Sequence, residues 1–206
     1  MTTLMKTAFA ILASLFLLTA GLFATDKPGF VPHPVTLTFY VAGMECGTCQ
    51  ALITQSVEAV KSVTDVSVEI IGSYVNVSFD THVSSAHQIA QAIAETQSVH
   101  GRPFVATMKM SVPDYAKDGN AAKVDAVFAK RKEWVEVELL DKAKGEFVVY
   151  FNPLKVDESK SGPQGWNPGH FGHAVHDAAP KGLGLAFALK YEAPYAPAPK
   201  VVTGKK

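Results

Sequence analysis

Residues 36–60 read TLTFYVAGMECGTCQALITQSVEAV, and the change of period inside this stretch decides the fold class. Leu37, Phe39 and Val41 alternate with Thr36, Thr38 and Tyr40, the pattern of a strand with one buried face. Leu52, Ile53, Val57 and Val60 then recur at helical spacing, so a helix is expected over Cys49 to Val60. The connection holds the chain's only two cysteines, Cys46 and Cys49. Thiolates select Cu(I), Hg(II), Zn(II) or Fe–S clusters over hard cations, and two at this spacing can close on one ion. A helix start adds unpaired N–H groups and a positive dipole end, both of which lower a thiol pKa.

Working outward, Val66 to Ile70 reads as a second strand and Tyr74 to Phe79 as a third, joined in a hairpin at Gly72-Ser73. Ser84 is the expected N-cap of a second helix carrying Ile89, Ala90, Ile93 and Ala94 on one face, with Gly101 beyond its end. Phe104 to Met110 alternates again as a fourth strand. Met108 and Met110 share one face of it and read as core, since Met packs readily. Strand, helix, strand, strand, helix, strand is the split βαβ order of a ferredoxin-like α+β sandwich, βαββαβ.

With Gly-Met-x-Cys-x-x-Cys in the first connection, residues 35–111 resemble the heavy-metal-associated (HMA) domain family. That family includes periplasmic mercury-binding proteins, copper chaperones and soluble modules of metal-pumping ATPases. The resemblance implies that Cys46 and Cys49 are the metal ligands and that Met44 is a buried prop under the loop. Glu45 stands where the family usually has threonine. Its charge beside the site is expected to raise the thiol pKa slightly and to favour a cation. Where the family often has an aromatic residue or a lysine before the last strand, this chain reads Ser98-Val99-His100-Gly101-Arg102. The winding puts that loop, the hairpin and the cysteine loop at one end. His100 is thus a candidate auxiliary ligand or proton source, and Arg102 a candidate to stabilise thiolate charge. An exposed loop histidine without a role is the plainer reading, and it is preferred on sequence alone.

The second half, 112–191, offers a helix over Ala121 to Arg131, strands over Trp134 to Leu139 and Phe147 to Phe151, a helix over His170 to Ala179 and a last strand over Leu183 to Leu189. This repeats the first half without its opening strand and without cysteine. It reads as a degenerate second ferredoxin-like half, completed by sharing a strand or by docking on the first. Its Gly- and Pro-rich stretch from Ser161 leads into His170, His173 and His176, candidates for a second site taking Cu(II) or Zn(II), with Asp177 as an added oxygen donor. Spacing of i, i+3, i+6 turns the outer pair well apart, so a polar helix face with one buried histidine is preferred. His33, His82 and His87 receive no role.

At the N-terminus, Lys6 precedes an apolar run to Ala24, expected to be a signal peptide over 1–24, followed by a Pro-containing linker over 25–34. Residues 192–206, with Pro194, Pro197 and Pro199, are expected to form an extended tail. Lys+Arg and Asp+Glu each number 19, and the absence of a basic run argues against a nucleic-acid partner. Export places the chain in the periplasm or outside the cell, with membrane association only if the leader stays uncleaved. The resemblance then implies a non-enzymatic carrier that captures Cu(I) or Hg(II) and passes it to a metal transporter or other metal-accepting protein by thiolate exchange. Both ions accept two sulfur ligands, whereas Zn(II) normally takes four. Two readings from other classes stand beside it. One is an extracytoplasmic thiol-disulfide redox protein; the other is a non-catalytic interaction protein on a ferredoxin-like scaffold.

Overall fold

The alternating segment forms β1 (Pro34–Ala42) and the helical period forms α1 (Gly47–Glu58), whose Cys49, Ile53 and Val57 are buried. The structure, a computed structural model, describes residues 34–192; the expected leader, the linker as far as His33 and the tail beyond Glu192 lie outside the described residues. β2 (Val63–Glu69) and β3 (Tyr74–Asp80) pair as the expected hairpin, and α2 (Ala86–Glu95) leads to β4 (Val105–Ser111). The second half supplies α3 (Asn120–Ala129), β5 (Val135–Asp141), β6 (Glu146–Phe151), α4 (Gly169–His176) and β7 (Ala188–Leu189). The last strand is much shorter than the Leu183 to Leu189 expected: only Ala188–Leu189 pair, because the chain before them folds back on α4, with Leu183 and Leu185 N–H groups donating to the Ala174 and Val175 carbonyls. Among the described residues no helix is long and apolar enough to cross a membrane.

Among the described residues the seven strands lie in one sheet of order β2-β3-β1-β4-β6-β5, with β7 also on β4. Its first four strands have the ferredoxin-like order. Read from β4 onward, the order β7-β4-β6-β5 is the same arrangement again, so β4 closes the first motif and opens the second. A matching hydrogen bond marks the repeat: Val41 N–H donates to the Ser73 carbonyl in the first hairpin, and Val112 N–H to the Gly145 carbonyl in the second, both at 2.8 Å. Leu37, Phe39, Val41, Val75, Met108, Met110, Phe147 and Val149 belong to one buried cluster with residues of all four helices. A chain of rings crosses from Phe39 through Phe151, Trp166 and Phe171 to Phe128, with centroids 4.7–6.2 Å apart.

The two halves are also fastened at the start of α2. Its N-cap is Ser85 rather than Ser84: Ser85 Oγ accepts from Gln88 N–H while Gln88 Oε1 accepts from Ser85 N–H, a reciprocal capping box. Ser84 is turned away to donate to the Lys61 carbonyl. The next unpaired donors of the helix are met by the Gly- and Pro-rich loop of the second half. Ala86 N–H donates to Asn167 Oδ1 at 2.7 Å and His87 N–H to the Trp166 carbonyl at 3.1 Å. The His87 ring, 1% exposed, donates from Nε2 to the Asn152 carbonyl at 2.7 Å and accepts at Nδ1 from Trp166 N–H at 3.3 Å. Those two bonds define a neutral tautomer, and burial pushes its pKa down. Gly165, at φ +79, lets the loop pass against this ring; a Cβ there would sit 2.6 Å from Nδ1.

Two stability outcomes follow from this fastening. Because the unfolded chain binds a proton at His87 near its ordinary pKa of 6.5 and the folded chain resists it, stability should fall as pH drops below about 6.5, by up to about 1.4 kcal/mol per pH unit. Urea unfolding between pH 5 and 7.5, with His87→Gln as the variant that flattens this dependence, tests it. Trp166→Ala should destabilise by about 3–5 kcal/mol, since the fully buried indole joins both halves of the core; a loss under about 1 kcal/mol in the same assay would contradict that packing role.

Candidate metal centre

β1 ends at Ala42 and the chain turns through Gly43, whose φ of +90 brings it against the Pro103 carbonyl and Phe104. A Cβ there would lie 3.1 Å from that carbonyl oxygen, so the tight turn that aims the cysteine loop suits glycine. Met44 is buried beneath the loop. Cys46 is extended (φ −152, ψ 166) and is the N-cap of α1, its Sγ accepting from Cys49 N–H at 3.4 Å. Cys49, one turn in, is fully buried, while Cys46 remains partly exposed. Both thiols are free, with their sulfurs 3.1 Å apart.

His100 comes to the same place from the loop between α2 and β4. Its Nε2 lies 3.3 Å from Cys46 Sγ, and its backbone N–H is held by Ser98 Oγ at 3.2 Å. The ligand atoms of Cys46, Cys49 and His100 all lie within 4.8 Å of one another, and among the described residues no other group of three or more His, Cys, Asp or Glu side chains gathers this closely. Such a span suits donors sharing one ion, given bonds of about 2.3 Å to sulfur. The exposed histidine preferred on sequence grounds is thus exposed, and it also touches the thiol.

The Cys46 thiol is lowered to about 6, first by the Cys49 backbone N–H, then by the Cys49 side chain and His100. Glu45 is expected to push a neighbouring thiol up; at Cys46 the balance goes the other way. Its carboxylate is exposed and faces Arg102, Nη1 to Oε1 3.9 Å, so its field is offset and screened by water, whereas the N–H bonds the sulfur directly. Arg102, expected to serve the thiolate, is paired with Glu45 instead.

The histidines of α4 are given separate partners. His170 Nδ1 accepts from Asn167 N–H at 3.1 Å and its ring lies against Trp134; His173 Nδ1 is 3.6 Å from Asp177 Oδ2; His176 is exposed. They form no three-donor cluster, as the angular spread of i, i+3 and i+6 dictates. The residue overlooked in the sequence is His87, whose ring ties the start of α2 to the second half through Asn152 and Trp166. Its signal was the neighbouring Ser85-x-x-Gln88 capping pattern, which marks it as the second residue of a helix.

A free, low-pKa thiol has a direct signature. Alkylation of Cys46 by iodoacetamide in the reduced protein should be half-maximal near pH 6 rather than about 8.5. His100→Ala should move that midpoint up only part of the way, because the largest cause is backbone. A midpoint above 8 in the unsubstituted protein would show that the helix-start geometry does not act on the sulfur.

Residues 38–97 match the family model of the heavy-metal-associated domain, a match that ends three residues before His100. Among solved structures, oxidized MerP from Ralstonia metallidurans CH34 is 26% identical, with 35% of this chain and 96% of that chain covered and a TM-score of 0.31. A protein described as copper-ion-binding from Bacillus anthracis str. Ames is 30% identical over 32% of this chain and 93% of its own, TM-score 0.31. The water-soluble region of the P-type ATPase CopA from Bacillus subtilis is 19% identical over 78% and 93%, TM-score 0.37. No curated protein matches the chain. With Cys46 and Cys49 inside the matched stretch and the strand order of its first four strands, the chain belongs, through this domain, to the heavy-metal-associated family.

Proposed function

We propose that this protein is an exported carrier that takes one soft ion, Cu(I) or Hg(II), between Cys46 and Cys49 and yields it to a metal-accepting protein by thiolate exchange. The observation that carries the reading is the convergence of two free sulfurs 3.1 Å apart at a helix start, in a domain of the heavy-metal-associated family. Cys46 supplies a thiolate already favoured at neutral pH and reachable from solvent, the sulfur a partner's thiolate would displace first. Cys49, buried under the loop, is the last to let go. His100 adds a nitrogen donor on the open side, giving a three-donor set that is one short of the four Zn(II) normally takes. The likeness to copper- and mercury-named relatives supports the choice of ions, and the apolar run at 7–24 supports export.

A second reading shares this geometry: an exposed low-pKa thiol with a buried neighbour at contact distance is also the layout of a thiol-disulfide exchanger. Metal titration separates the two. Reduced protein should bind Cu(I) or Hg(II) one to one in competition with a chelator of known affinity, and Cys46→Ser/Cys49→Ser should abolish that binding. X-ray absorption of the Cu(I) form should show two sulfurs and one nitrogen, the nitrogen vanishing in His100→Ala with stoichiometry unchanged. Rapid catalysis of disulfide reduction without cysteine-dependent metal binding would transfer the assignment to redox exchange.

A further inference from the structure

β4 has to receive two strands on one side. β1 pairs with its first half, Tyr40 to Ala42 against Thr107 to Val105, and β7 with its second half, Leu189 and Ala188 against Met110 and Ser111. Lys190 N–H continues that ladder to the Lys109 carbonyl. The beginning of β1 is therefore displaced from β4 and pairs only with β3. A cleft of about 660 Å³ opens where β1 and β7 diverge, under α4. Its floor is apolar: Val35 and Leu37 on one side, Leu189, Tyr191 and Ala174 on the other.

The rim of this cleft is cationic. Arg131 and Lys181 line it together with the imidazoles of His82, His170 and His173, and no Asp or Glu does. Among the described residues no carboxylate lies within ion-pair distance of Arg131 or Lys181; of the imidazoles, His173 has Asp177 at 3.6 Å and His82 has Asp80 at 3.2 Å. Arg131 rests over the Trp134 ring at 5.2 Å, and that ring stacks against His170, so guanidinium and imidazole are held close to each other. Burial first, then Arg131 and His173, hold the His170 pKa down, so this imidazole is neutral at neutral pH and the positive charge of the rim rests on Arg131 and Lys181. Two cations without a carboxylate partner, set beside apolar walls, offer an amphipathic anion both a counter-charge and a surface.

We propose that this cleft binds a small amphipathic organic anion, a carboxylate head held at Arg131 and Lys181 with an apolar tail laid along Val35, Leu37 and Leu189. The volume lies in the range of small-molecule sites, about 300–1,000 Å³, and a planar guanidinium matches a carboxylate in two-point fashion. The site is separate from the cysteines and does not depend on what they bind.

Isothermal titration of the full-length reduced protein with decanoate, decanol and acetate tests this. Decanoate should saturate at one per chain. Decanol, lacking the charge, and acetate, lacking the tail, should each bind about tenfold more weakly or worse. Arg131→Gln/Lys181→Gln should weaken decanoate by about tenfold or more with the circular dichroism spectrum and metal stoichiometry unchanged. Decanoate that does not saturate, decanol that binds as well as decanoate, or a folded double variant that binds undiminished would each overturn the proposal. Should the double variant not fold, the comparison of the three ligands on the unsubstituted protein decides.

Discussion

The structure depends on β4 serving two ferredoxin-like motifs at once. A strand has two edges. In the first motif β4 needs only β1; in the second it must take β6 on one edge and β7 on the other, and that other edge is the one β1 already uses. The conflict is resolved by length: β1 keeps three pairs at one end of β4 and β7 takes two at the other. The two-residue β7, the splayed start of β1 and the cleft between them are consequences of that division. Sharing also means that β4 is a central strand, with Met108 and Met110 buried in a cluster that takes in helix residues of both halves, so the apolar face of one motif is continuous with that of the next.

A shared strand alone would leave the helices of the two halves free to shift, and the strap from Gln164 to Asn167 prevents it. Its carbonyls and its Asn167 side chain replace water at the start of α2, and its backbone holds the His87 ring from one side while Asn152 holds it from the other. A neutral imidazole suits this position because it offers one donor and one acceptor in opposite directions. The stretch that looked in the sequence like a preface to a histidine metal site is instead the capping piece that joins the halves. Its glycine is required by contact with an imidazole, not with an ion.

Much of the first motif was legible because its strands alternate cleanly and its helices carry caps and apolar stripes; Tyr74 to Phe79 and the helix bearing Ile89 and Ile93 fall where their periods put them. Strand sharing was legible only as an alternative, since a missing opening strand in 112–191 does not say where its substitute comes from. The length of β7 was not legible, because pairing there is limited by β1, a strand 146 residues earlier in the chain as counted from Ala42 to Ala188. His100 was visible as a candidate through loop winding, but its 3.3 Å approach to Cys46 depends on how Gly43 lets the cysteine loop fold toward Pro103. The sign of the net effect on the Cys46 thiol was not legible for a related reason. Both influences can be read, the charge of Glu45 and the N–H groups of a helix start, but their balance is set only once Cys46 is the cap and Cys49 N–H bonds its sulfur.

The same strand that positions the cysteines separates them from the cleft. The loop bearing Cys46 follows the last residue of β1, and the cleft is lined by Val35 and Leu37 near its first. Seven residues of strand between Val35 and Ala42 span roughly 23 Å, more than twice the screening length of about 8–10 Å at ordinary salt. Arg131 and Lys181 therefore exert little direct field on the thiolate, and an anion settling between them would leave the Cys46 titration unchanged. Any coupling must be mechanical, through the register of β1 on β3 or through α2, whose start is strapped to the second half and whose end leads into the loop of His100. Of the two routes, the β1–β3 ladder is the stiffer, with seven consecutive pairs from Pro34 to Tyr40. The α2 route ends in an exposed loop in which the His100 N–H is bonded to Ser98 Oγ and its ring touches Cys46 Sγ, so a shift there would move the nitrogen donor while leaving both sulfurs in place.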